Sequence, residues 1–329
     1  MAYRGRLNEN SQVGQKIGRL NARNLSQLIP LIVLIALCIL FTILQPRFLT
    51  FQNAMIVLQQ SVSLLSAALG MTFVIVGGSI DLSVGSILAL SALVSAASAQ
   101  YLGIFAFVPA LAIGLLCGFL NGAVFAIGKV PSFIATMGTM TAFRGVVLYF
   151  TKGAPISITN GPFLDLFSGR TEGVPHSVIL VVICVVIAWV IYDRTVFGRE
   201  VQAIGGGERV ARLSGIKVDS VKIRMFVTVG LLCGLAGLLE SGRVMAATAQ
   251  LGLGLELNVI AAVVVGGTPL TGGVGSIRGT ILGTLIISVL SNGMNMASVD
   301  PYLQEVIQGL ILIAAVFLTI DRGKIGIIK

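Results

Sequence analysis

The chain has 329 residues, of which 56% are hydrophobic and only 11% charged, and its mean hydropathy is +0.98. Soluble domains carry about 25% charged residues, so this balance excludes an ordinary soluble fold and points to a polytopic membrane protein. A formal net charge of +9 would suggest a nucleic-acid partner in a soluble chain, but no RNA- or DNA-binding motif accompanies it, and its distribution along the chain gives it another meaning.

Residues 1–27 form a polar, basic segment expected on the cytoplasmic side. The run Leu28–Leu44 ends at Gln45-Pro46 without a small-residue cleavage site, so it reads as an uncleaved first span. A helix needs about 20 apolar residues to cross a bilayer. Ten candidates follow in order: Leu28–Leu44, Met55–Val76, Ser86–Ala99, Ile104–Ile127, Ser132–Phe150, Val178–Tyr192, Met225–Gly242, Leu257–Gly266, Ile281–Met296 and Tyr302–Ile320. The expected fold is all-α: a membrane domain over 28–321 with about ten transmembrane helices, and a short cytoplasmic tail, 322–329. Gln59, Gln60, several serines and Arg144 make some spans polar, which suits the inside of a helix bundle.

Cytoplasmic loops collect Lys and Arg. With ten spans and a cytoplasmic N-terminus, most of the basic residues fall inside, among them Arg194, Arg199, Arg209, Arg212, Lys217, Lys222, Arg224 and Arg278. Only Arg47, Lys152, Arg170 and Arg243 fall outside, and Arg144 lies within a span. Both termini are therefore expected in the cytoplasm, and the basic excess is mostly topology.

Between two apolar stretches, Gly77 to Ser86 reads GGSIDLSVGS, which marks a broken span. A carboxylate at membrane depth faces a cavity or a partner, and irregular backbone survives there only where protein or a water-filled path surrounds it. Gly77, Gly78, Asp81, Ser83, Gly85 and Ser86, with Asn121, are accordingly candidates for a translocation pathway. Asp81 has a second reading as the cap of a helix starting near Leu82 or Ser83. The pattern recurs at Gly266, Gly267 and Gly275, and Asn121-Gly122 ahead of Pro131 is matched by Asn292-Gly293 ahead of Pro301. Paired glycine-interrupted segments point to an internal repeat with a transport site at its interface; in the ten-span count both breaks land on the cytoplasmic side, so the repeat is expected to be parallel.

Two longer connections remain. In the inner loop, 193–224, Gly205-Gly206-Gly207 precedes Glu208 to Ser214, and Gly215 follows; Val210 and Leu213 share one face beside Arg209 and Arg212, which predicts a short amphipathic docking helix. The outer loop, 151–176, carries Lys152, Arg170 and the only histidine, His176, which reads as solvated rather than catalytic. Glu240 and Arg243 share a helical face and are expected to pair. Cys38, Cys117, Cys184 and Cys233 each lie in an apolar run without CxxC spacing, so neither a disulfide framework nor a metal site is expected.

GMTFVIVGGSIDLSVGSILAL at Gly70–Leu90, VPSFIATMGTMTAFRG at Val130–Gly145, AIGGGERVARLSGIKV at Ala203–Val218 and IAAVVVGGTPLTGGVGSIRGT at Ile260–Thr280 resemble the ribose-type sugar permeases of bacterial ABC importers, over nearly the whole chain after Leu28. The resemblance implies an inner-membrane subunit that pairs with a second permease copy, couples to a cytoplasmic ABC ATPase and receives solute from an extracytoplasmic binding protein. It implies that Gly205, Gly206, Glu208, Arg209, Arg212, Leu213 and Gly215 belong to the coupling motif, where the family usually reads GGN-E-A-A; here Gly207, Arg209 and Val210 replace the asparagine and the two alanines. Lys152, Arg170 and Arg243 become candidates for docking the binding protein. The chain carries no GxxxxGK[ST] phosphate loop, the cluster GVGSIRG at Gly273–Gly279 lacking its lysine, so no catalytic residue or cofactor is expected and ATP acts through the partner subunit. An ion-coupled carrier is the first alternative, with Asp81 as its coupling group; an ABC permease for another small polar solute, such as a branched-chain amino acid, is the second. An intramembrane enzyme lacks a nucleophile, base or metal cluster.

Overall fold

The computed structural model describes residues 28–319. The basic segment 1–27, the end of the last expected span at Ile320 and the tail 322–329 lie outside the described residues. Six helical stretches are long and apolar enough to cross a membrane: Phe51–Val76 (α2), Val84–Ala126, Ser132–Thr151 (α5), His176–Arg194 (α7), Val218–Val244 (α10) and Ile277–Met296 (α12). A tight turn at Gly103–Ala106 divides the second into α3 (Val84–Leu102) and α4 (Phe107–Ala126). Shorter apolar helices are Leu28–Leu44 (α1), Leu255–Val265 (α11) and Pro301–Thr319 (α13).

Local chemistry sets these limits. The Thr50 hydroxyl accepts from the N–H of Asn53 at the start of α2, and Ser276 does the same for Gly279 at the start of α12, each satisfying a donor that the first turn leaves open. Pro131 and Pro301 stand at the starts of α5 and α13, where a missing N–H costs nothing.

Helix α10 is the hub, packed on α2, α3 and α4. Its closest partner is α4, and the contact is built from a pentapeptide that occurs in both: GLLCG at Gly114–Gly118 and again at Gly230–Gly234. The two copies cross antiparallel. A Cβ on Gly118 would lie 3.0 Å from the Cα of Gly230, and one on Gly114 would lie 2.8 Å from the Cα of Gly234. Hydrophobic collapse does not drive helices together in lipid, so such backbone-to-backbone approach supplies the dispersion that does. Helices α2, α10 and α12 are mostly buried, whereas α5 and α7 show most of their apolar surface to the outside. A second apolar cluster, with Phe41, Phe48, Leu290 and Met294, joins α1 to α12.

The expected inner loop is helical: α8 (Val196–Gly206) and α9 (Glu208–Leu213) separate α7 from α10. The outer connection folds on itself with α6 (Gly161–Ser168) and two small antiparallel pairs: β1 (Ile156–Ser157) with β4 (Ala246–Ala247), and β2 (Arg170–Thr171) with β3 (Val174–Pro175). His176 is not simply solvated, since its Nδ1 bonds the carbonyl of Asp165 and its Nε2 bonds Thr171 Oγ1, both at 2.8 Å. Asn121 lies on the second helix after the first glycine break and Asn292 on the first helix after the second, so the two sequence pairs do not mark one collinear repeat.

Candidate translocation and coupling site

Both glycine breaks end a helix with the same bonds. After α2, the N–H groups of Gly77, Gly78 and Ser79 donate to Phe73, Ile75 and Val74. After α11, those of Gly266, Gly267 and Thr268 donate to Ala262, Val264 and Val263. The middle residue is left-handed in each, Gly78 at φ 76° and Gly267 at φ 92°, a conformation that glycine alone takes without penalty.

The two breaks meet each other and α8. The carbonyl of Val76 accepts from the N–H of Gly273 at 2.8 Å. A Cβ on Gly272 would lie 2.8 Å from the nitrogen of Gly78, one on Gly273 would lie 3.1 Å from the Cα of Gly206, and one on Gly205 would overlap the carbonyl oxygen of Val76. The Tyr192 hydroxyl, at the end of α7, donates to the carbonyl of Gly275 at 3.0 Å. Five glycines thus form a knot in which the end of α8, the candidate coupling segment, bears directly on the ends of α2 and α11.

Asp81, Ser83, Ser86 and Asn121 come together above this knot, all fully enclosed. Asp81 Oδ1 accepts from the N–H and the hydroxyl of Ser83, at 2.8 and 2.6 Å; Asn121 Nδ2 donates to Ser83 Oγ at 2.7 Å, and Ser86 Oγ donates to the Ser83 carbonyl. Helix α3 begins at Val84, with Ser83 in the cap position and no side-chain cap bond. Asp81 therefore closes the turn ahead of the helix instead of capping a helix at Leu82. Asp81 Oδ2 and Asn121 Oδ1 have no partner among the described residues. Gly85 stands inside α3, where its missing side chain admits the carbonyl of Gly252 and the carboxylate of Glu256.

The chain from Thr248 to Gly254, between β4 and the short α11, is irregular and would leave carbonyls unpaired inside a bundle. Arg144 of α5 meets that need: its Nη1 donates to the carbonyls of Ala249 and Leu251 at 2.5 and 2.8 Å. Glu256 supplies the nearby countercharge. The sequence showed a cation within a span; its partners belong to a segment more than a hundred residues away, so no local signal could have named them.

Helix α9 is held by charge. Glu208 bonds Arg212 at 3.1 Å and Lys222 at 2.8 Å, Arg212 reaches Asp219, and Lys129 from the α4–α5 turn also bonds Asp219, at 3.0 Å. The Lys222 ammonium, then the Arg212 guanidinium, hold the Glu208 carboxyl below the usual carboxylate range. Arg209, Val210 and Leu213 face outward, the last two 68% and 82% exposed. Gly215 turns the chain at φ 86°. At the opposite end of the bundle Arg243 pairs with Glu240, Arg170 donates to Gln59 Oε1 at 2.7 Å, and the Lys152 ammonium sits 4.1 Å from the centre of the Tyr149 ring. Each of these three cations thus has its own partner, and no contact joins them to one another. Among the described residues no group of His, Cys, Asp and Glu is placed to hold a metal ion.

Residues 53–316 match the family described as "Branched-chain amino acid transport system / permease component". The chain is 40% identical over 300 residues to the ribose import permease protein RbsC of Escherichia coli (strain K12), covering 89% of this chain and 93% of that protein. It is 43% identical over 304 residues to RbsC of Bacillus subtilis (strain 168), covering 90% and 92%. It is 32% identical to the xylose transport system permease protein XylH of Escherichia coli (strain K12), covering 91% and 93%. No solved structure matches the chain. The chain belongs to this family of importer permeases.

Proposed function

We propose that this chain, a multi-pass permease subunit of an ABC importer, carries a monosaccharide such as ribose or a related pentose across the bacterial inner membrane. The observation that carries the reading is the glycine knot: the coupling segment at Gly205–Gly206 touches the ends of two broken spans, so force applied at α9 reaches the pathway through backbone contact. The likeness to ribose and xylose permeases supports the cargo.

In this account ten helices span the membrane: α1 to α5, α7 and α10 to α13, with α11 completed by the irregular stretch before it. Both termini are cytoplasmic, as the placement of Lys and Arg favours. The matched bonding of the two glycine breaks, with α2 and α11 both running toward the knot, supports a parallel repeat of the breaks themselves, although Asn121-Gly122 and Asn292-Gly293 do not fall on corresponding helices after them. The outward apolar pair Val210 and Leu213 meets the ABC ATPase, which supplies ATP hydrolysis, while Glu208 and Arg212 fix the helix from behind. The outer connection, 151–176, receives the binding protein, and a second permease copy covers the exposed faces. The chain itself needs no cofactor.

The test is to purify the tagged chain gently with its partners, reconstitute the complex, and follow uptake of ribose, xylose and leucine. ATP-dependent uptake of a pentose supports the account. Uptake without ATP that collapses with an ion gradient would establish the ion-coupled carrier, and ATP-dependent uptake of leucine alone would move the cargo to amino acids.

A further inference from the structure

A cleft of about 300 Å³ opens between α2, α10, α11, α12 and α13, at the end of α10 that carries Arg243. Six neutral polar side chains line it: Asn295, whose Oδ1 accepts from Gln304 Nε2, and the five Gln60, Asn258, Ser288, Ser291 and Gln308. None of the five makes a side-chain hydrogen bond to a described residue. Many polar groups of the other helix faces are committed elsewhere, while Ser66, Ser91 and Ser177 are unpartnered but scattered singly. Ser61, Ser98 and Ser241 turn their hydroxyls onto carbonyls of their own helices, Thr72 pairs with Thr280, and Asn53 pairs with Asn292. Ser288 is buried, Asn258, Ser291 and Gln308 are half-buried and Gln60 opens to the outside, so amides and hydroxyls from four helices converge on one accessible place.

Their chemistry defines what fits. Asn and Gln amides each offer donors and an acceptor, and each serine offers both, a set that matches a ring of hydroxyls. The one cation on the wall, Arg243, is neutralised by Glu240, which itself accepts from Ser63 Oγ at 2.6 Å. Leu64, Leu255 and Ile287 give the cleft apolar patches against which the C–H faces of a sugar can lie. Its volume is at the small end of ligand sites, roughly 300–1,000 Å³, and no aromatic ring lines it to hold a ring by stacking. Such a site passes a solute on rather than retaining it.

We propose that this cleft is the transit subsite of the permease, where Gln60, Asn258, Ser288, Ser291 and Gln308 exchange hydrogen bonds with the hydroxyls of an uncharged monosaccharide. The proposal rests on the sugar-importer reading and adds the place of contact.

The test uses the reconstituted importer, with Cys38, Cys117, Cys184 and Cys233 replaced by alanine and a single Ser291→Cys, treated with a membrane-impermeant methanethiosulfonate. Labelling is expected to abolish ribose uptake, and ribose presented by its binding protein is expected to slow the labelling. Leu49→Cys, 67% exposed on the turn before α2, is expected to label without effect. In the background that keeps its cysteines, Gln60→Leu with Asn258→Leu is expected to lower uptake roughly five- to thirtyfold, the factor for losing one or two hydrogen bonds, with ATPase recovery unchanged. Complete labelling of Ser291→Cys with undiminished uptake, or full uptake by the double variant, overturns the proposal. An unlabelled parent that imports leucine and no ribose overturns the sugar reading, and with it the solute assigned to the cleft.

Discussion

The N–H of Gly273 donates to the carbonyl of Val76 at 2.8 Å, so the chain leaving α11 closes the end of α2. Gly205 lies against the same carbonyl, close enough that a side chain there would overlap it. The ends of α2 and α11 and the proposed coupling segment therefore share one backbone contact, and a shift of α8 and α9 is expected to move both helix ends.

Gly205→Ala is expected to destabilise the purified chain by about 1–3 kcal/mol, the usual cost of forcing a methyl into closed packing, and to abolish uptake. Gly206→Ala is its control, because nothing lies within 4 Å of the added carbon. Thermal unfolding in detergent separates them: a lowered Tm for the first and an unchanged Tm for the second.

Arg144→Leu removes both donors from the carbonyls of Ala249 and Leu251. Hydrogen bonds to a charged group are worth about 1.5–3 kcal/mol, so the irregular segment should loosen and uptake should fall at least about tenfold. Hydrogen exchange across residues 248–254 is expected to quicken in this variant and less so in Arg144→Lys, which keeps the charge but not the fork.

Asp81→Asn keeps the acceptor that Ser83 uses twice and is expected to fold and to retain most transport. Asp81→Ala strands both Ser83 donors in an enclosed site and should cost about 1–3 kcal/mol. If instead Asp81→Asn stopped uptake while its Tm held, the carboxylate charge itself would be required, as an ion-coupled carrier needs.

Glu208 gives a pH signature. Its carboxyl is held below the ordinary value of about 4.3 by Lys222 and Arg212, so its contribution is fully present above that value and disappears as pH falls through the lowered one. Protection of α9 from hydrogen exchange should be flat from pH 8 to about 5 and decline below about 4. Glu208→Gln should show weaker protection throughout and no decline of its own.

Much of this was legible in the sequence, and what was not has a physical reason. Breaks at Gly77–Gly78 and Gly266–Gly267 are local events, written in glycine, which takes the left-handed conformation of Gly78 and Gly267 without penalty, so the sequence places them. The glycine-bounded helix Glu208–Leu213 and the Glu240–Arg243 pair are likewise local. The contact of Val76 with Gly273, the reach of Arg144 to Leu251 and the crossing of the two GLLCG segments join positions far apart in the chain, and no periodicity encodes them. Asp81 shows the middle case: its bond to Ser83 is local, but whether it caps a helix or closes a turn depended on α3 starting at Val84 rather than two residues earlier. Gln60 and Ser291 looked like ordinary polar residues of inner helices until five such side chains converged.

The most direct test of coupling through α9 is to replace its outward apolar pair, Val210→Asp with Leu213→Asp, and ask whether the ATPase still co-purifies. Both side chains are exposed, and Glu208 and Arg212 keep the helix attached, so the Tm of the isolated chain should not change. The account predicts a folded permease that has lost its ATPase and its ATP-dependent uptake. Full recovery of the ATPase with normal uptake would contradict it.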